Sequence, residues 1–117
     1  MEKRPLRARL GASVADLERV RLQDRFRGLG LTPLEELPLR VPVRVAGEVT
    51  RVVLTPRRGI PNLEVMVNDG TGSIVAIFTG RRAIPGLHHG RATILEGVAM
   101  RDRDRTVVYN PAYTLVA

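Results

Sequence analysis

Three groups of arginines carry the chemistry that this chain has the residues to do. Arg57 and Arg58 lie in "PRRGIP", Arg81 and Arg82 in "GRRAIPG", and Arg101, Arg103 and Arg105 in "RDRDR". A guanidinium presents a planar fork of N–H donors that matches a phosphate bidentately, and each phosphate it neutralises releases condensed counterions. Such residues beside turns point to salt-sensitive, sequence-tolerant capture of a polyanion, with no bond made or broken. Asp102 and Asp104 alternate with the third group and can neutralise it on a solvated turn, so its claim is weaker than that of the first two.

No other grouping carries a reaction. His88 and His89 are adjacent, so on a strand they would point opposite ways, and no third ligand stands beside them to complete a metal site. Glu64 and Asp69 lie near a turn without forming an acid–base pair. No Ser–His–Asp spacing suggests itself, although such triads need not be local in sequence. The chain has no cysteine. That removes a thiol nucleophile, a disulfide framework and Cys-based metal centres, and it fits a cytoplasmic protein, with association to the nucleoid an open option. The expectation is a non-enzymatic protein with no cofactor, no metal and no small-molecule substrate.

The charge balance supports the arginine reading. The 117 residues suit one domain of ordinary size, and they carry a formal net charge of +7. No stretch approaches the ~18 apolar residues of a membrane span, and the basic N-terminus "MEKRPLRARLGASVADL" has no apolar core of a secretory signal. A polyanionic partner is therefore expected to be nucleic acid before membrane, with DNA favoured over RNA. Among the 19 basic residues only Lys3 is a lysine, a bias that a GC-rich genome alone also produces. Only Phe26, Phe78, Tyr109 and Tyr113 are available to stack on bases.

The elements that must position these residues follow from periodicity. Residues 1–12 read as a short disordered basic arm. Ser13 is an N-cap candidate with Asp16 in the first turn, and a helix of about 14 residues follows, with Val14, Leu17, Val20, Leu22 and Phe26 on a broad apolar side. It ends at Gly28 or Gly30. In "TPLEELP" Thr32 is placed to cap a single turn that starts at Pro33 and stops at Pro38. From residue 41 onward the period changes to two. Strands are expected over 41–55, 62–68, 73–79, 91–100 and 106–116, the first bent at Gly47 and the last broken at Pro111. "DGTG" is a strong hairpin turn, residues 80–90 are a connector with room for one helical turn, and 101–105 are a charged turn. On the third strand Ile74, Ala76 and Phe78 share the face read as core. One or both tyrosines, Tyr109 and Tyr113, are expected to cap the barrel.

Five strands with a connector after the third is the order of an OB-fold, so the expected class is a mainly β, five-stranded OB-fold barrel with an N-terminal helix. Its divisions are 1–12 as the arm, 13–40 as the helix and helical turn, and 41–117 as the barrel. The run "GEVTRVVLTPRRGIPNLEVMVNDGTGSIVAIFTG" with the closing "VVYNPAYTLV" resembles the wedge domain of RecG-type branch-migration helicases, over roughly residues 43–116. The connector "GRRAIPG" is similar to that of small stand-alone actinobacterial OB-fold proteins. The wedge resemblance implies an OB-fold that engages DNA at a branch point. The family places stacking aromatics at positions that align with Thr79 and Ala83, neither of which can stack, and no GxxxxGK[ST] motif is present, so no helicase activity is implied.

An OB-fold binds strands across its second and third strands, bordered by the loops after the first and fourth. Arg57, Arg58, Arg101, Arg103 and Arg105 fall in those loops, and Arg81 and Arg82 open onto the same groove. The expected function is electrostatic, largely sequence-independent binding of single-stranded or branched DNA. The rival is a protein–protein adaptor that docks through the N-terminal helix (Val14, Leu17, Leu22, Phe26), the charge being incidental.

Overall fold

The computed structural model describes the backbone of residues 6–117 and the side chains from residue 14 onward. Helix α1 spans Leu6–Arg27, a single 3-10 turn spans Leu34–Glu36, and six strands follow. These are β1 (Pro42–Leu54), β2 (Asn62–Asn68), β3 (Ser73–Thr79), β4 (Ala92–Asp102), β5 (Arg105–Tyr109) and β6 (Ala112–Val116). β1 pairs antiparallel with both β2 and β4, β3 pairs antiparallel with β2 and parallel with β5, and β4 pairs with β5. The ring β1-β2-β3-β5-β4-β1 therefore closes, which is the OB-fold barrel. β6 continues β5 past Pro111 and pairs with the first half of β4.

Strand alternation dictates the interior. Val45, Val49, Leu63, Val65, Val67, Ile74, Ala76, Phe78, Leu95, Ala99 and Val108 fill the barrel. Phe78 is core, as the alternation of β3 predicts. One strand must serve two neighbours for the ring to close, and β1 does so by changing partner. Its first half runs along β4 and its second along β2, with a register shift between Val49 and Arg51. At Gly47 a Cβ would run into Val67 Cγ1 and the backbone of Asn68, so only glycine lets the strands approach that closely.

Several boundaries differ from the sequence expectation. The helix does not begin at Ser13 but at Leu6, so residues 6–12 of the expected arm are helical; the first five residues lie outside the described ones. Leu6, Arg7, Ala8, Arg9, Leu10 and Ala12 are strong helix formers, which outweighs the cost of about 1 kcal/mol at Gly11. The connector holds turns but no helical turn. Pro85 and the left-handed glycines at 80, 86 and 90 break any repeat, and Ile84 and Leu87 instead pack into the core beyond the end of β3. The charged turn shrinks to residues 103–104, which leaves Arg101, Asp102 and Arg105 on strands.

The "DGTG" turn does more than reverse the chain. Asp69 is buried, and its Oδ1 accepts from Thr71 N (2.8 Å), Thr71 Oγ1 (2.7 Å) and Gly72 N (3.1 Å). Its Oδ2 accepts from Leu34 N at 2.9 Å, and Thr71 Oγ1 accepts from Glu35 N at 3.2 Å. The 3-10 turn is thus capped by the hairpin and not by Thr32. Its N-cap position is Pro33, with no side-chain cap of its own. Leu34, held this way, closes the barrel beside the start of β3. Gly70, at φ 90°, brings its backbone against α1, where a Cβ would lie 2.6 Å from Arg19 O and 2.9 Å from Gln23 N. Asp69→Ala leaves the buried Leu34 N–H and the partly buried Thr71 and Gly72 N–H groups without their acceptor and should lower stability by about 2–4 kcal/mol. Asp69→Asn, which keeps one acceptor oxygen, should cost less. Urea unfolding with unchanged slope is the check.

Helix α1 lies on the barrel through Leu22 and Phe26, which pack with Ala46, Ala92 and Ile94. Beside them Glu48, with only 12% of its side chain exposed, pairs with Arg21 (3.0 Å) and Arg25 (2.5 Å). The Arg21 hydrogen bonds, then that of Arg25, hold the Glu48 carboxyl below its ordinary value of 4.5. A depressed carboxylate contributes stability above its unfolded pKa and loses it as pH falls through the folded one. Stability should therefore fall as pH drops below about 4.5, and Glu48→Gln should flatten that part of the curve in thermal melts taken across acid pH.

Candidate nucleic-acid interface

The outer surface of the barrel is built in rungs by strand register. Arg51, Met66, Val75, Val107 and Met100 form one rung, and Val53, Glu64, Ile77 and Tyr109 form the next. This is the face over which an OB-fold is expected to bind. Val75, Ile77 and Val107 are nonetheless buried, with Met66 packed on them. Arg105 provides the cover. Its Nη1 donates to Glu64 Oε1 at 2.8 Å and its Nη2 to Glu64 Oε2 at 3.5 Å, a pair that crosses the Met66–Val75–Val107 rung. Asp102 Oδ2 accepts from the same Nη2 at 3.3 Å. The Glu64 hydrogen bonds raise the Arg105 pKa above its ordinary value.

The seven arginines singled out from the sequence therefore part company. Arg105 is committed to Glu64 and Asp102. Arg101 stands opposite Thr106, one residue out of phase with Arg105, so it occupies the reverse face of the β4–β5 hairpin; its Nη1 donates to Thr106 Oγ1 at 3.4 Å. Arg103 takes a left-handed backbone (φ 61°) at the exposed tip. Across from it stands Arg57, and residues 102–105 with Arg57 line a cavity of about 420 Å³.

Arg57, Arg58, Arg81 and Arg82 stand on two loops joined past the C-terminal end of β3, with Arg57 reaching the cavity it shares with residues 102–105. Arg57 and Ile60 exchange backbone hydrogen bonds of 2.8 and 2.9 Å around Arg58 (φ 51°) and Gly59 (φ 78°), a tight turn with both central residues left-handed. Gly80 N donates to Pro61 O at 2.7 Å, which ties the start of the second arginine pair to the loop of the first. All four are exposed, and among the described residues none forms an ion pair with an acid, in contrast to Arg21, Arg25, Arg44 and Arg105.

Asn110 braces this end, which the sequence reading missed. Its N donates to Ile77 O (2.8 Å), its Oδ1 accepts from Thr79 N (2.9 Å), and its Nδ2 donates to Thr79 Oγ1 (2.7 Å). The residue is left-handed at φ 49°, and the Asn-Pro pair in "YNPAY" was the available signal. Thr79 and Ala83 are exposed. Tyr113 fits the expected barrel cap, lying edge-on to Phe78 at 6.0 Å, whereas Tyr109 stands on the outer face. His88 and His89 are exposed in the connector, and among the described residues no three His, Cys, Asp or Glu side chains are grouped to hold a metal. Among the described residues no helix is long and apolar enough to cross a membrane.

No protein-family model matches the chain. No curated protein matches it either. Among solved structures it is similar to a chain of a replication protein A heterotrimer bound to single-stranded DNA, with a TM-score of 0.52 and 18% identity. That match covers 72% of this chain and 63% of the other, so this chain spans less than two thirds of its length. An OBody bound to hen egg-white lysozyme is similar with a TM-score of 0.44 and 14% identity, over 75% of this chain and 90% of that one. At these identities the likeness is one of fold.

Glu64→Gln removes one charge of the pair that covers the outer rung and leaves Arg105 with Asp102 alone. The expected cost is about 1 kcal/mol, because both groups keep some solvent. Chemical unfolding of the variant beside the parent measures it.

Proposed function

We propose that the protein is a nucleic-acid-binding OB-fold that captures single-stranded or branched DNA, in preference to RNA, through loop arginines and without catalysis. One observation carries the reading: two loops far apart in sequence place Arg57, Arg58, Arg81 and Arg82 at one end of the barrel, with no acid paired to any of them among the described residues. Exposed guanidiniums on joined loops raise the local positive potential, which attracts a polyanion and releases its counterions. Arg103 extends the positive border across the cavity it shares with Arg57, while Arg101 and Arg105 contribute less, one facing away and the other already paired. The similar replication protein A structure is bound to single-stranded DNA, which makes that the first ligand to test. The wedge-like residues make a forked duplex the second.

A second reading has one observation in its favour. Val14 and Leu17, each 68% exposed, and Val20 at 48% form an apolar stretch of α1 that the barrel leaves uncovered, as a protein adaptor would present. Leu22 and Phe26 are not available for that purpose, being buried against the barrel.

Fluorescence anisotropy with labelled strands separates the two. Binding should be measurable at ~50 mM salt, with log K falling by about 0.7 per phosphate contact for each unit of log salt. Changing Arg57, Arg58, Arg81 and Arg82 together to Ala should abolish binding or flatten that slope by up to about 3. If single-stranded, duplex and forked DNA and RNA all fail to bind at low salt, the adaptor reading replaces this one.

A further inference from the structure

We infer that Tyr109 is the base-stacking surface of this interface, an assignment that rests on the binding function proposed above. Of the four aromatic rings, Phe26 and Phe78 are buried, at 9% and 5% exposure. Tyr113 is 38% exposed, but it stands opposite Leu95 on the interior phase of its strand and its ring is engaged edge-to-face with Phe78. Tyr109 is 44% exposed and has no ring partner among the described residues. It alternates with the interior residue Val108, so it belongs to the outer face, beside Ile77 of β3.

Its surroundings suit a base. Val98 and Met100 alternate with the interior Ala99 on the adjacent strand, and both are exposed, at 43% and 44%. With Tyr109 they make an apolar strip on the outside of β4 and β5. The rest of the outer face offers no such surface, because the Arg105–Glu64 pair lies across the Met66–Val75–Val107 rung. The stacking surface is thereby displaced from the second and third strands to the fifth. The ring is also held ready: Asn110, the next residue, is fastened to Ile77 and Thr79, so little backbone freedom remains to be lost on binding. Thr79, that anchor, leads directly through Gly80 into Arg81 and Arg82. A nucleotide with its base on Tyr109 has cations for its phosphate a few residues away. A tyrosine with two side-chain torsions supplies contact area at small entropic cost.

The chain has no tryptophan and two tyrosines, so intrinsic fluorescence can report on this one residue. In a Tyr113→Phe background, which keeps the ring beside Phe78, oligothymidine added at low salt should quench the remaining tyrosine emission. Tyr109→Ala should weaken binding of the same strand about 5- to 100-fold, with the slope against log salt unchanged, and Tyr109→Phe should restore it. An abasic strand of equal length should bind the parent and Tyr109→Ala equally. If the parent binds with its salt dependence intact but shows no quenching, and Tyr109→Ala binds as tightly, the stacking role is overturned while the binding function stands. If the parent binds no nucleic acid at all, both are overturned together.

Discussion

The buried carboxylate of Asp69 is the contact on which the arrangement of the molecule depends. A charge removed from water persists only where donors replace the water, and here three N–H groups and a hydroxyl do so. Three of those donors belong to its own turn and one to the 3-10 turn, 35 residues earlier in the chain. The same group that shapes the β2–β3 hairpin therefore holds Leu34 over one end of the barrel core. Gly70 seats the turn against helix α1, and Gln23 Nε2 donates to its carbonyl oxygen. Hairpin, plug and helix meet at one polar point, where Gln23, Asp69 and Thr71 lie together.

Barrel closure sets where charge collects. β1 changes partner across its bulge, and β5 runs parallel to β3, so residues from the two ends of the domain share one outer surface. The arginines divide accordingly. Arg21 and Arg25 hold the helix to Glu48, Arg44 pairs with Glu96, and Arg105 lies over an apolar rung to reach Glu64. These are structural cations, part of whose charge is cancelled. Those at 57, 58, 81 and 82 sit on turns without an acid in contact among the described residues. Subtracting the pairs leaves these four among the described arginines without an ion pair, alongside Arg40, Arg51, Arg91, Arg101 and Arg103, and what sets them apart is that two joined loops carry them.

Two features of the outer face belong together. The Arg105–Glu64 pair occupies the ground that an OB-fold otherwise leaves open for bases, and Tyr109 stands exposed on the next strand. The same Asn110 that breaks the last strand fixes both that tyrosine and the end of β3, from which the second arginine pair departs. Rigidity at this end comes from the Asn110 backbone N–H bonded to Ile77 O and from its side-chain amide bonded to Thr79 N and Thr79 Oγ1.

Alternation along residues 41–116 was enough to determine the strands, the interior face of β3 at Ile74, Ala76 and Phe78, the hairpin at "DGTG" and the OB-fold order, because burial on one side of a pleated strand imposes a period of two on the residues themselves. The sequence also showed where arginines stand beside turns. It did not show which of them are free. That depends on whether an acid lies within reach across the barrel, and Glu64 and Arg105 are 41 residues apart. Nor could periodicity reveal that Asp69 caps a turn before the barrel begins, or that Tyr109 faces outward while Tyr113 closes the interior. Those outcomes were decided by closure of the ring, which brings distant side chains within hydrogen-bonding distance and so selects partners that no local pattern encodes.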